Sequence, residues 1–310
     1  MKILVTGGAG FIGSHLTDFL VSKKHQVLVL DNLSHGRLSN IATKSQKYKF
    51  KKIDIRSPRL STVFRAFRPE KVFHLAAQIN VRESLKNPAR DAESNIIGAL
   101  NVFQNAQNVG AKQIVFTSTG GALYGEAKIR PTPENHPTIP LSPYGIAKLA
   151  TENYLKFFHQ VYKLPSVILR FSNVYGPRQN PQGEAGVVAI FADRLLKGLT
   201  PIINGSGNQT RDFVYVGDVV QALNKASSHK KFDVFNIATE QEVSINEIFN
   251  ILKKITKFSG APKYVPAILG EIYHSVLSAK HAKQTLSWQP RVGIEEGLRK
   301  IVEYMLSLEH

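Results

Sequence analysis

Short apolar runs alternate along the chain with longer stretches in which apolar positions recur at helical spacing. Lys2 to Thr6 is the first such run, and a helical pattern through Leu16, Phe19 and Leu20 follows it. Gln26 to Leu30, Phe50 to Ile53, Lys71 to Leu75 and Ile114 to Phe116 have the length and composition of strands. Asp91 to Asn108 reads as one long helix carrying Asn95, and Ser142-Pro143 reads as the N-cap and first residue of another. Strands alternating with helices predict an α/β fold: a right-handed, mostly parallel, doubly wound sheet of Rossmann type with helices on both faces. Its ligand crevice is expected at the carboxyl ends of the strands.

The first strand ends in Thr6-Gly7-Gly8-Ala9-Gly10-Phe11-Ile12-Gly13. Glycines at 7, 10 and 13 let the chain turn tightly, approach a pyrophosphate and pack a helix on the sheet. The helix beginning near Phe11 and Ile12 aims its free N–H groups at phosphate. A strand before the glycines and a helix after them are what a dinucleotide site requires, and a purely packing turn is the lesser reading. The second strand ends in Asp31, 18 residues after Gly13. There a carboxylate accepts the adenosine ribose hydroxyls and repels a 2′-phosphate, which favours NAD over NADP, with Arg37 nearby as the counter-indication. Asn32, Ser34, Asp54 and Ile55 are expected along the adenosine half of the site. The small exit Leu75-Ala76-Ala77-Gln78, then Asn95 and Thr117, are expected along the rest.

Tyr144 and Lys148 lie four residues apart at the start of the helix opened by Ser142. A free phenol titrates near ~10, and drawing it toward neutrality by ~3 units takes roughly 4 kcal/mol of preferential stabilisation of the phenolate. Residues i and i+4 share a helix face, so the ammonium reaches the phenol or its partners. By itself the pair is compatible with an ordinary amphipathic helix; combined with the glycine motif it marks a proton-transfer site.

These motifs, in this order, resemble the extended short-chain dehydrogenase/reductase family, and within it the nucleotide-sugar 4-epimerases. The resemblance extends through Arg170 to Arg178, Arg211-Asp212-Phe213-Val214 and Gly270 to Ser275. It implies Tyr144 as acid/base, Lys148 holding the nicotinamide ribose, and Thr119 binding the sugar 4-oxygen. It implies NAD-dependent epimerisation at C4 of a UDP-hexose through a transient 4-keto sugar. Asn173 and Arg211 match diphosphate ligands, and Arg211 taken alone is equally a solvated strand-edge charge. Ser275 matches the gate beside the sugar 2-substituent, where a small residue leaves room for an N-acetyl group. Related dehydratases and decarboxylases carry an Asp or Glu just after the catalytic Thr or Ser; here Gly120, Gly121, Ala122 and Leu123 follow Thr119. Ile268 stands where many epimerases have a second phosphate-binding arginine. The alternatives are a uronate epimerase, decarboxylase or reductase of the same fold, or a dinucleotide-binding sensor without turnover.

The composition shifts near Asn173 to loops rich in Gly, Pro and Asn. The division expected is 1–172 for the NAD-binding domain, with 213–240 returning to it, and 173–307 for a smaller carboxy-terminal sugar-nucleotide domain. Residues 308–310 read as a tag remnant. The resemblance also implies a homodimer joined through the helices around 92–109 and 144–161. Net charge is +17, but the basic residues are scattered without a basic helix or an aromatic-interleaved stripe, so no nucleic-acid partner is expected. No apolar run approaches the ~20 residues of a membrane span, Met1-Lys2-Ile3 leads straight into a strand, and there is no cysteine. A cytoplasmic protein without membrane contact is expected. The ten histidines show no metal-ligand spacing, so no metal is expected.

Overall fold

A computed structural model describes residues 1–41, 48–182, 186–267 and 272–308. Ile268, Gly270 and Glu271 of the sequence analysis, and Glu309 and His310 of the expected tag remnant, lie outside the described residues. The chain opens β1 (Lys2–Thr6), α1 (Phe11–Ser22), β2 (Gln26–Asp31), β3 (Tyr48–Lys52), α2 (Leu60–Phe67) and β4 (Lys71–His74). It continues α3 (Val81–Lys86), α4 (Pro88–Ala92), a π turn (Glu93–Ile97), α5 (Gly98–Asn108), β5 (Gln113–Thr119), α6 (Pro143–Tyr162) and β6 (Ser166–Phe171). Then come β7 (Asn173–Tyr175), α7 (Val187–Leu196), β8 (Ile202–Asn204), β9 (Thr210–Arg211), β10 (Phe213–Tyr215), α8 (Val216–Ala226) and β11 (Asp233–Ile237). The last elements are β12 (Val243–Ser244), α9 (Ile245–Thr256), β13 (Lys263–Val265), β14 (His274–Ser275), α10 (Lys280–Leu286) and α11 (Ile294–Leu306).

Seven strands form one sheet in the order β11-β6-β5-β4-β1-β2-β3, and β3 through β5 pair in parallel. The chain runs outward from β1 through β2 to β3, then returns to β4 on the other side of β1. Strand order therefore reverses between β1 and β4, where a doubly wound sheet opens a crevice. Buried Leu4, Leu28, Val72, Ile114 and Ile168 come from the strands, and Phe64, Phe103, Phe158 and Leu155 cover them from the helices. Burying a side chain of this size contributes roughly 1.5–3 kcal/mol.

The helix expected over 91–108 is interrupted. α4 ends at Ala92, the π turn inserts an extra residue per turn, and α5 begins at Gly98. Two local contacts account for the break. Asn95 turns inward to bond the backbone of Gln78 on both sides, and the Cα of Gly98 lies so close to Ile55 that a Cβ would come within 2.6 Å of its side chain. π turns of this kind concentrate at functional sites.

The chain divides into two compact units. The first comprises 1–123, 140–170 and 220–235, and holds the sheet. The second comprises 124–139, 171–219 and 236–310. The second has its own core of Phe191, Phe213, Ile248, Leu252, Leu298 and Ile301. The 124–139 segment is anchored within that second unit: Thr132 N–H donates to Val276 O and Ser278 N–H to Thr132 O, while Tyr124 donates to Asn236 Oδ1.

Candidate active site

The glycine turn follows β1. Gly7 has φ +68°, and a Cβ there would lie 2.7 Å from the Ala76 nitrogen. A Cβ at Gly13 would meet Gly7 O at 2.1 Å. Gly10 is the N-cap of α1 and offers no side chain, so the first-turn N–H groups around Phe11 and Ile12 have no side-chain cap. An uncapped helix start beside backbone that admits no Cβ is a cradle for a diphosphate.

Asp31, 7% exposed, ends β2. Its Oδ2 accepts from Ala9 N–H at 3.0 Å and its Oδ1 from Leu33 N–H at 2.8 Å. Each oxygen keeps a lone pair for a ribose hydroxyl. Gly36 closes over this carboxylate: a Cβ would sit 2.8 Å from both oxygens. Sequence reasoning missed Gly36, because only the folded loop reveals the approach.

Asn32 donates to Asp54 Oδ2 at 3.0 Å, and its own Oδ1 accepts from Ser34 N–H at 3.0 Å. Arg56 grips Asp54 in a two-pronged pair, both contacts 2.9 Å, which holds the carboxyl well below the usual range. The carboxylate expected at the adenine edge is thus already committed to Asn32 and Arg56. Ile55 turns its side chain into the core. Its carbonyl accepts from Asn101.

At the exit of β4, Leu75 and Ala76 pack their backbone against Gly7, and Ala76 N–H donates to Thr6 Oγ1 at 3.2 Å. After Ala77, Gln78 N–H donates to Asn95 Oδ1 at 2.9 Å and Asn95 Nδ2 donates to Gln78 O at 3.0 Å. Asn95 O in turn accepts from Thr151 of α6 at 2.8 Å. Leu75, Ala76, Gln78, Asn95 and the helix of Tyr144 are therefore one connected assembly. His74 is buried between Phe103 and Phe116, and burial, with Lys148 adding, lowers it to about 3.

Thr119 ends β5, and Tyr144 and Lys148 begin α6. Ser142 caps the helix, accepting from Gly145 N–H, and Pro143 sits in its first turn. Ser84 accepts from Tyr144 N–H at 3.2 Å and fixes the entry. The Thr119 hydroxyl favours the charged form of the Tyr144 phenol. Lys148, 4% exposed, donates from Nζ to Thr117 O at 2.9 Å and lies 4.8 Å from the Phe116 ring centroid and 6.0 Å from that of Tyr144. Thr117 Oγ1 donates to His74 O at 3.3 Å.

Burial, which residue spacing does not report, has the largest influence on the Tyr144 phenol. Burial pushes the phenol up, the Asp91 charge adds to this, and the Thr119 hydroxyl opposes it. Lys148 is itself drawn down to about 8 by burial, with Glu152 and Asp91 pushing back. The ammonium bonds a carbonyl rather than the phenol oxygen, so desolvation wins. Asp91 was missed by sequence reasoning; its place four residues before Asn95, on the same helix face, was the available signal.

The second unit brings the three expected substrate residues close in register. Arg211 in β9 lies opposite Ser275 in β14, and Asn173 in β7 lies opposite Phe213 in β10. Arg211 Nη1 donates to Thr210 O at 2.8 Å and Tyr273 O at 3.3 Å. The buried Asp212 carboxylate, between β9 and β10 in the chain, accepts from the N–H groups of Thr239 and Glu240. Among the described residues no group of His, Cys, Asp and Glu is placed to hold a metal ion, and no helix is long and apolar enough to cross a membrane.

A doubly wound sheet with a glycine cradle and a Thr–Tyr–Lys cluster defines an extended short-chain dehydrogenase/reductase. The chain belongs to the family described as GDP-mannose 4,6 dehydratase, whose model matches residues 4–301. It is 47% identical to the Thermotoga maritima UDP-glucose 4-epimerase solved with UDP-glucose, covering 100% of both chains with a TM-score of 0.97. The UDP-glucose 4-epimerase of Thermus thermophilus, in complex with NAD, is 40% identical over 99% of each chain, TM-score 0.92. The UDP-N-acetylglucosamine 4-epimerase of Methanobrevibacter ruminantium, in complex with UDP-N-acetylmuramic acid, is 34% identical over 99% of this chain and 98% of that one, TM-score 0.94.

Proposed function

We propose that this protein is an NAD-dependent 4-epimerase of UDP-hexoses, with Tyr144 as acid/base, Thr119 as its partner at the sugar 4-oxygen, and Lys148 as the positioning cation. The observation that carries it is the buried Lys148 ammonium, bonded to Thr117 O and 6.0 Å from the Tyr144 ring, beside a strand end at Thr119 whose exit, residues 120–123, has no carboxyl. NAD would be held by the cradle at Gly7, Gly10 and Gly13, by Asp31 at the ribose, and by the Leu75–Gln78 exit; bound there, it supplies the acceptor and donor of hydride.

Tyr144 takes the proton of the C4 hydroxyl as the sugar is oxidised, and returns it when the keto sugar is reduced on its other face. Thr119 keeps the 4-oxygen in line with the phenol in both directions. The phenol is buried and starts protonated, so a positive charge arriving in the site favours the phenolate. No residue from 120 to 123 can transfer a proton, so the cycle ends in inversion rather than elimination.

Asn173 and Arg211 bind the diphosphate, for which the planar guanidinium suits two-point contact. Ser275 leaves room at the sugar 2-position, so N-acetylhexosamine nucleotides are substrates too. The first unit is then the NAD-binding domain and the second the sugar-nucleotide domain. Ile146, Tyr154, Phe157 and Val161 leave an apolar stripe exposed along α6, which supports a homodimer formed on that helix. A Phe157→Glu variant is expected to sediment as a monomer. The nucleotide substrates imply a cytoplasmic place of action.

The test mixes purified protein and NAD separately with UDP-glucose, UDP-N-acetylglucosamine and UDP-glucuronate, and follows the anomeric proton signals. Formation of the 4-epimer of the first two is expected. A dehydrated or decarboxylated main product, or none, refutes the reading.

A further inference from the structure

Arg211 and Ser275 stand on a sheet of three strands, in the order β12-β9-β14, each two residues long. Strands in folded proteins usually run about 3–10 residues, and a ladder this short resists sliding poorly. Register pairs Thr210 with His274 and Arg211 with Ser275. Successive residues of a strand point to opposite faces, so Arg211 and Ser275 share one face and Thr210 and His274 the other. Arg211 is sensitive to any slip between the strands. Its Nη1 donates both to Thr210 O of β9 and to Tyr273 O, just before β14.

The reverse face is gripped by a carboxylate that the proposed chemistry does not use. Glu242 immediately precedes β12. Its Oε2 accepts from Thr210 Oγ1 at 2.5 Å and lies 3.1 Å from His274 Nδ1. The hydroxyl and the imidazole nitrogen are themselves 2.8 Å apart. The carboxylate can only accept, which assigns the His274 proton to Nδ1, so that Thr210 and His274 both donate to one oxygen. Oε1 lies 3.6 Å from Arg130 Nη1 of the 124–139 segment. One side chain at the edge of β12 thus reaches β9, β14 and that segment. Apolar side chains would cover the same face, but their contacts have no direction; hydrogen bonds to a charged acceptor fix both distance and direction.

We propose that Glu242 is a positioning residue for the substrate diphosphate: by tying Thr210 to His274 it holds β9 in register with β14, and so keeps the Arg211 guanidinium beside Ser275. The inference rests on the reading of Arg211 as a diphosphate ligand. Without the carboxylate, Thr210 and His274 lose their shared acceptor and β9 can shift against β14. Arg211 then loses the carbonyl pair that orients it. Binding of the nucleotide diphosphate suffers, while proton transfer at Thr119 and Tyr144 does not depend on the clamp.

The experiment measures UDP binding to the NAD-loaded protein by calorimetry in wild type, Glu242→Ala, Arg211→Met and the double variant. Glu242→Ala is expected to bind UDP about tenfold more weakly, the scale of one hydrogen bond to a charged group put out of place. Glu242→Gln, whose amide oxygen still accepts from both donors, should recover most of the loss. In the Arg211→Met background Glu242→Ala should add nothing further, because it acts through the guanidinium. For UDP-glucose the KM of Glu242→Ala should rise by about the same factor, with kcat changed less than about twofold. Should Glu242→Ala not fold, Thr210→Val removes one donor, keeps the carboxylate and reads the same coupling to Arg211. Wild-type UDP affinity in the folded clamp variant while Arg211→Met is weakened, or losses that add in the double variant, overturns the inference alone. Unchanged UDP affinity in Arg211→Met overturns the diphosphate reading of Arg211 and the inference with it.

Discussion

Gln78 and Asn95 hold each other by two hydrogen bonds, N–H to Oδ1 at 2.9 Å and Nδ2 to the carbonyl at 3.0 Å. That pair ties the exit of β4 to the π turn, and Thr151 ties the π turn to the helix of Tyr144. Asn95→Asp keeps the acceptor but turns an oxygen toward Gln78 O and Asp91 Oδ1. A loss of about 1–3 kcal/mol in denaturant unfolding is expected, with weaker NAD binding by calorimetry. Wild-type values for both would show that the assembly is not held this way.

His74 makes stability depend on pH. Its ordinary value of 6.5 falls to about 3 in the folded protein, first through burial and then through the Lys148 charge. The unfolded chain therefore binds the extra proton first. The stabilisation is complete above about pH 6.5 and is lost as pH falls toward about 3, at up to roughly 1.4 kcal/mol per unit. His74→Gln should flatten this slope in urea midpoints measured between about pH 7 and about pH 5. Parallel slopes for the two proteins would contradict it.

Arg170 and Glu152 are both buried, and the guanidinium contacts the carboxylate through Nε at 3.0 Å as well as Nη2. Arg170→Met strands a carboxylate and should cost about 3–5 kcal/mol, while the double variant with Glu152→Leu should recover most of it. Thermal unfolding of the three proteins reads this directly; equal losses in single and double variants would mean the pair is not what matters.

The local features of the site were legible in the sequence, and the non-local ones were not. The glycine turn, Asp31 at the end of β2 and the capped start of α6 are each written within a few residues, so periodicity and cap chemistry reach them. The π turn escaped because apolar spacing over 91–108 fits an uninterrupted helix, and only Asn95 meeting Gln78 reveals the inserted residue. Gly36 over Asp31 escaped because the approach exists only once the loop folds back on the end of β2. Sequence order alone puts the 124–139 segment with the first unit, yet it is fastened to residues near 276. The direction of the Tyr144 shift also depended on burial, which spacing does not report.

Ser275 lies opposite Arg211 in the β9–β14 pair. Ser275→Tyr fills the space assigned to a sugar 2-substituent. Turnover of UDP-N-acetylglucosamine should fall by about tenfold or more, with UDP-glucose changed only a few-fold. Full activity on the acetylated sugar would remove Ser275 as the gate.

One oxygen atom decides the rest. Rates of UDP-galactose conversion in wild type and Tyr144→Phe, both loaded with NAD and checked for fold by circular dichroism, test it directly. The variant should lose about 10²–10⁴-fold in kcat while still binding NAD. A rate within a few-fold of wild type would mean that another group moves the proton.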